Sequence, residues 1–429
     1  MDLKRLWTVR VAGTIVLLFL MYLSLRIARV EYLAETGRPG DLEKAISLDP
    51  DNTRYRLALA SRDLFSDTVP RSRVEEDLRQ ILAQSPRNGD ALMNLGILME
   101  VKGDIAKAER YLNEAAVNDH TYKPSWTLAN FYVRTNQYDK MWPHIRRVIE
   151  VTTKQDALRF FNLLAVYDLC WRTEADPAFL LSLIPERENT LIPYFQYIEH
   201  HRHTDAAIAA FPRAIRFANA DVPAHRGIFS EYVDLLFRED RAKELVETWN
   251  QLVAKHIIIS TEVHPDRAAI ITDPSFEMPL APSAFGWRSP IDDQVHITYT
   301  PHTILFDISG KQPDTVVLLE KNFAILPGKD YFLTWKANGS ELLKPSDLKE
   351  SGIGLRLSRA KTDIPIECST FFAPETERGC HFHMPAQLNG DPVLLTLRVA
   401  AERVAGSVRL RGSFKVSGFE LRFSSRGNT

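Results

Sequence analysis

Histidine clusters, cysteines and carboxylates are the residues of this chain that could do chemistry by type and spacing. His381 and His383 stand at i, i+2, which places two imidazoles on one face of a strand, a spacing used for metal ligation. A third ligand would have to come from about four residues on, and Gln387 stands there instead of a carboxylate. Glu199, His200, His201 and His203 (EHHRH) fall at a helix end, where imidazolium groups also complement the helix dipole. Neither cluster is assigned as a metal site. There are 3 cysteines, Cys170, Cys368 and Cys380, and no C-x-x-C, so a zinc ribbon or dithiol redox site has no basis. Cys368 and Cys380 could form a disulfide across a hairpin loop or between neighbouring strands, as suits an oxidising compartment, or remain as two thiols. Both readings stand. Cys170, within LLAVYDLCW, belongs to an apolar core face.

G-x-S-x-G, the P-loop, G-x-G-x-x-G and H-E-x-x-H are all missing. The acidic residues of the C-terminal third (Asp292, Asp293, Asp314, Glu375, Glu377) fall mostly in expected turns. No catalytic residue and no cofactor is assigned, and the chain is read as a non-enzyme. The alternative is a carbohydrate-active enzyme, a glycosidase or lyase, since two carboxylates need no linear motif. Sugar binding would need exposed aromatic faces. Tyr299, Trp335 and Phe371-Phe372 are available, but Trp335 alternates with Tyr331 and Leu333 on a strand face that reads as buried. Trp287 follows Gly286 in a loop-like stretch and is the glycan-contact candidate, against the competing reading of a structural plug.

These residues belong to a chain of 429 with 45% hydrophobic and 25% charged residues, an ordinary globular composition. The 53 Lys and Arg against 55 Asp and Glu leave a formal charge of −2, which offers no field for nucleic acid. Val11–Leu25 is uncharged and bracketed by Arg10 and Arg26. With snorkelling arginines the apolar stretch extends over residues 6–27, enough for the roughly 20 residues a bilayer core requires. The Leu25–Arg29 segment carries no A-x-A cleavage pattern, so an uncleaved anchor is favoured over a cleaved signal. Basic residues on the two flanks balance. A basic amino end before the first span favours a single pass through the inner (cytoplasmic) membrane, with the body exported.

From 31 to 260 the period is helical. Gly89–Ala116 and Tyr122–Glu150 align at a 33-residue step: Leu95-Gly96 with Leu128-Ala129, Gly103 with Asn136, Ala115 with Val148. Gly96 and Ala108 are small enough for two helices to approach closely, and Gly103 makes the turn. The pattern resembles the tetratricopeptide family, whose repeat is about 34 residues. That resemblance implies an α-solenoid that docks a protein partner, with a passive spacer as the competing reading.

From 261 to 429 short alternating runs between Gly and Pro turns predict eight or nine antiparallel strands, a β-sandwich or jelly roll. Asp273–Arg288 (DPSFEMPLAPSAFGWR), Leu318–Ala337 and Gly406–Phe423 resemble carbohydrate-binding-module-like jelly rolls. With the anchor (residues 1–30) and the repeats, the chain is similar to bacterial envelope proteins linked to surface-polysaccharide production. The resemblance implies an envelope protein partner on the solenoid, and a polysaccharide or another subunit on the jelly roll.

Overall fold

The computed structural model describes residues 3–154, 163–173, 175–267, 270–280, 283–289, 293–339, 341–342, 352–360, 365–371, 375–387, 389–403 and 409–423. Side chains are described throughout these segments except at 3–6, 8–10, 153–154, 365–371 and 375–378. The chain folds as two compact units, Met1–Pro185 and Glu186–Thr429.

The first unit begins with a single helix, α1 (Leu3–Glu35). Its Val11–Glu35 stretch is long and apolar enough to cross a membrane, and the most apolar 18 residues within it are not buried. The expected domain break at residue 30 falls inside this helix. Val30 is buried with Ala45 and Tyr55, so the last turns of α1 already pack on the helices that follow. Arg26 donates to the Leu48 carbonyl and Tyr55 donates to Glu31, which tie the same turns down laterally.

Nine further helices complete the unit among the described residues: α2 (Pro39–Leu48), α3 (Thr53–Asp63), α4 (Arg71–Gln84), α5 (Gly89–Val101), α6 (Ile105–Asn118), α7 (Tyr122–Arg134), α8 (Tyr138–Lys154), α9 (Leu163–Trp171) and α10 (Pro177–Leu183). Local sequence sets their starts. Asn52, Asn88, Asp104 and Asp176 sit at N-caps, where each side-chain oxygen accepts a hydrogen bond from a first-turn amide. The α5–α6 pair shows how repeat residues set the packing. Ala108, Leu112 and Ala115, at i, i+4 and i+7, are all buried on one face of α6. A Cβ on Gly96 would lie 2.6 Å from Leu112 Cγ, so only glycine allows this approach. Leu95, Leu128 and Ala129 are buried in the same stack.

Gly103 ends α5 at φ +82°, with Gly103 N–H donating to Glu100 O and Asp104 N–H to Met99 O. This is a Schellman termination. Asn136 repeats it after α7 at φ +57°, with Gln137 N–H donating to Tyr132 O.

The second unit opens with α11 (Glu188–His200), α12 (Thr204–Ala214), α13 (Pro223–Arg238) and α14 (Ala242–Ala254). Aromatic rings fill the space between them, Phe195 meeting Phe229 at 5.6 Å and Tyr232 at 5.0 Å. Arg202, Asp240 and His256 end α11, α13 and α14 with positive φ, in the same hydrogen-bonded termination as Gly103.

Ten strands follow among the described residues: β1 (Trp287–Arg288), β2 (Val295–Thr300), β3 (Thr303–Ile308), β4 (Thr315–Ile325), β5 (Lys329–Asn338), β6 (Gly352–Arg359), β7 (Pro365–Phe371), β8 (Glu375–Met384), β9 (Val393–Glu402) and β10 (Gly412–Phe423). They form two five-stranded sheets, β1-β4-β9-β6-β7 and β2-β3-β10-β5-β8, with antiparallel pairing throughout. Tyr331, Leu333 and Trp335 of β5 and Leu395, Leu397 and Val399 of β9 belong to one buried cluster drawn from both sheets. Two-residue β1 and edge strand β7 carry too little alternation to be read from sequence. Of an expected strand over Ser407–Arg411, residues 407–408 lie outside the described residues and 409–410 are irregular, the strand β10 starting at Gly412.

Helices and strands of this unit are joined through α14. Trp249 is buried, its ring meets Phe285 edge-on at 5.2 Å, and its Nε1 donates to Thr261 O at 3.0 Å. Asn250 exchanges two hydrogen bonds with the Val263 backbone.

Candidate functional site

In the first unit, the repeat spacing of the sequence reappears as contacts between successive helices. Asn94 Nδ2 on α5 donates to Ser61 Oγ on α3 at 2.6 Å, and Thr127 Oγ1 on α7 lies 3.2 Å from Met93 Sδ. Arg134 on α7 grips Glu100 on α5 with two parallel bonds of 2.7 and 2.8 Å. Partners 33 or 34 residues apart meet because the same position of each repeat sits beside its counterpart in the next. On the row formed by α3, α5 and α7, Met93, Ile97, Trp126 and Asn130 stay half-buried and offer apolar and amide surface.

No known family profile matches the chain, and no curated protein does either. Among solved structures it is similar to YrrB, a TPR protein with an unusual peptide-binding site, at 13% identity over 50% of this chain and 91% of that one, TM-score 0.25. MamA is similar at 14% identity over 42% of this chain and 85% of that one, TM-score 0.25. Pseudomonas aeruginosa pilF is similar at 14% identity over 53% and 90%, TM-score 0.29. Likeness of this degree carries no functional argument. The tetratricopeptide-like character rests on the chain's own helix pairs.

In the second unit, Trp287 is not the exposed platform that its loop-like sequence suggested. It is 2% exposed, with Phe276 at 4.9 Å, Phe419 at 5.2 Å and the Lys321 ammonium 5.0 Å over its ring. Its Nε1 donates to Asp273 O at 2.7 Å. Trp287 therefore plugs the core, and a sugar has no ring face to stack on. Asp273 makes this possible by folding its own segment: its carboxylate accepts from the Glu277 and Met278 amides at 2.6 and 3.2 Å. Trp335 is buried as well.

Lys321 was missed because an alternating strand normally turns a lysine to solvent. It is 1% exposed, donates to Phe285 O at 2.6 Å and Thr272 Oγ1 at 2.8 Å, and burial pulls its ammonium down to about 7. Neighbouring Asn322 donates to Ala284 O at 2.9 Å and accepts from Thr396 at 2.8 Å. Together the two side chains hold the Ala284 and Phe285 carbonyls. No sequence pattern marks such a latch.

The β8–β5–β10 sheet face turned away from the core carries His381, stacked on Phe332 at 4.2 Å, and His383, whose Nδ1 lies 2.9 Å from Asp330. In the EHHRH segment, His201 stacks on Tyr197 at 4.1 Å while Glu199 is buried. Among the described residues, no three His, Cys, Asp or Glu side chains are placed to hold a metal ion. On the same sheet, a cleft of about 550 Å³ has a mixed lining, with Thr303, Thr334, Lys336 and Glu420 beside apolar Ile271 and Leu421. The polar ones are hydroxyl, amine and carboxylate groups of the kind that hydrogen-bond a polyol.

Cys170 is a buried free thiol, pushed up to about 12 by burial, which keeps it inert. Cys380 is disulfide-bonded. The Cys368 side chain lies outside the described residues, as do those of Phe371-Phe372, Glu375 and Glu377. The strands themselves correct the hairpin reading: β7, carrying Cys368, pairs with β6, whereas β8, carrying Cys380, pairs with β5 in the other sheet.

Proposed function

We propose that this protein is a membrane-anchored, non-catalytic scaffold of a bacterial envelope. Residues 6–27 cross the inner membrane and the body lies on the exported side. The helix pairs dock an envelope protein, and the two sheets, read as a jelly-roll sandwich, contact glycan or another subunit of a surface-polysaccharide assembly. The observation that carries this reading is the α3–α5–α7 row. Its polar ladder holds successive repeats in register and leaves Met93, Ile97, Trp126 and Asn130 half-buried on two successive repeats, where an extended peptide would dock. For the glycan part the support is narrower and comes from the cleft beside β5 and β10, where hydroxyl, amine and carboxylate groups share the lining with apolar side chains. A disulfide between Cys380 and Cys368 would staple consecutive strands of different sheets, in keeping with export.

The test is affinity capture with the detergent-solubilised full chain from its own envelope. Trp126→Ala with Asn130→Ala is expected to cut recovery of a specific envelope partner at least tenfold. Recovery unchanged by both substitutions would remove the docking role from this surface.

A further inference from the structure

A second cavity, of about 670 Å³, opens between α11, α13 and β1 inside the Glu186–Thr429 unit. Its lining combines three carboxylates, Glu199, Glu231 and Asp234, with three guanidiniums, Arg202, Arg238 and Arg288. Opposite charges this close normally pair. Here none of the three carboxylates shares an ion pair or side-chain hydrogen bond with any of the three guanidiniums among the described residues. Arg288 reaches instead to Glu320, and Arg238 Nε donates to the Asp234 backbone carbonyl. Glu199, at 3% exposure, is the most buried of the three carboxylates, and its Oε2 has no hydrogen-bond partner. The Arg288 Nε, also in the lining, is likewise buried and unpartnered.

A buried acceptor and a buried donor left without partners in the lining of one cavity carry an unmet desolvation cost. A ligand carrying a positive group at one end and a negative group at the other complements the two sets of charge in the lining. The cavity volume is of the order found for small-molecule sites, about 300–1,000 Å³. We propose that this cavity binds a small zwitterion, a free amino acid or short peptide, with its ammonium on Glu199, Glu231 and Asp234 and its carboxylate on Arg202, Arg238 and Arg288. This site shares no residue with the α3–α5–α7 row, so it stands or falls apart from the scaffold reading.

The pH dependence has a definite sign. Burial, then the nearby Glu231, pushes the Glu199 carboxyl up to about 7, while Arg238 opposes the shift. His200, Glu231 and Asp234, with the three arginines, are the other charged or titratable groups facing it. Protonation of Glu199 below that pH removes the main acceptor, so binding should weaken as pH falls through 7.

Calorimetry on the full chain in detergent at about pH 8 tests the assignment, with triglycine, its N-acetyl form and its C-terminal amide as probes. Triglycine should bind, and either block should weaken it at least tenfold. Glu199→Gln and Arg238→Gln should each do the same. Glu199→Gln keeps the shape and removes a buried charge, so its thermal midpoint should not fall, which separates lost binding from lost folding. No heat with triglycine would mean a water-filled ion cluster only. Equal binding of the blocked peptides, or binding indifferent to Glu199→Gln, would equally overturn the proposal.

Discussion

Lys321 and Glu199 are buried ionisable residues whose energetics point in opposite directions. Lys321 titrates near 10.5 when unfolded and about 7 when folded, so the folded state binds fewer protons between those values. Its contribution to stability is therefore complete above about pH 10.5 and is lost as pH falls to about 7. Lys321→Met removes one of the two donors to Phe285 O and the bond that Thr272 Oγ1 accepts, at about 1–3 kcal/mol in all. Denaturant titrations should show a destabilised variant at about pH 10 and a smaller gap at about pH 7; a gap that widens on acidification would refute the latch. Glu199 rises from 4.5 to about 7, so the folded state binds the extra proton and stability drops as pH rises through that window. Glu199→Gln should match the wild type near pH 4.5 and exceed it by about 2–4 °C in midpoint at pH 8, the shift expected for roughly 1 kcal/mol. Neither residue was legible as buried, because charged side chains in alternating or helical patterns read as solvated until a neighbouring segment covers them.

At the level of elements, the helix pairs were readable where glycine and asparagine marked the turns. Gly103 and Asn136 lie one repeat apart and both adopt positive φ, as their residue types allow. After α11 and α13 turn signals mark the helix ends as well, but the positive φ of Arg202 is set by context, since arginine has no such preference. Close approach at Gly96 gives a quantitative test. Gly96→Ala gains helix propensity of about 1 kcal/mol but drives a methyl into Leu112 and close to the Ala108 carbonyl, an overpacking cost of about 1–3 kcal/mol. We expect a net loss of stability, measured as a lowered denaturation midpoint. A stabilised variant would mean that the α5–α6 contact is looser than described. Most strand limits were legible from period-two alternation. Sheet membership was not, because β7 and β8 are consecutive in sequence yet belong to different sheets.

For the whole molecule, the continuity of α1 matters most. Because Val30 and Glu31 already contact α2 and α3, no flexible linker separates the apolar stretch from the first helix pair. A phosphatase fused at the C-terminus, active only after export, should be fully active if residues 6–27 anchor the body outside the cytoplasm. Activity seen only with a cytosolic reporter would reverse the orientation. The amino-acid sequence alone determined that an apolar stretch, paired helices and alternating strands follow in that order, since hydrophobic period and turn residues are local properties. Only tertiary structure decided that Trp287 is a plug, that Lys321 is a latch and that Glu199 shares a cavity lining with three arginines. Burial and charge pairing depend on which distant segments come to lie against a residue, and the residue's own neighbours in the chain do not encode that.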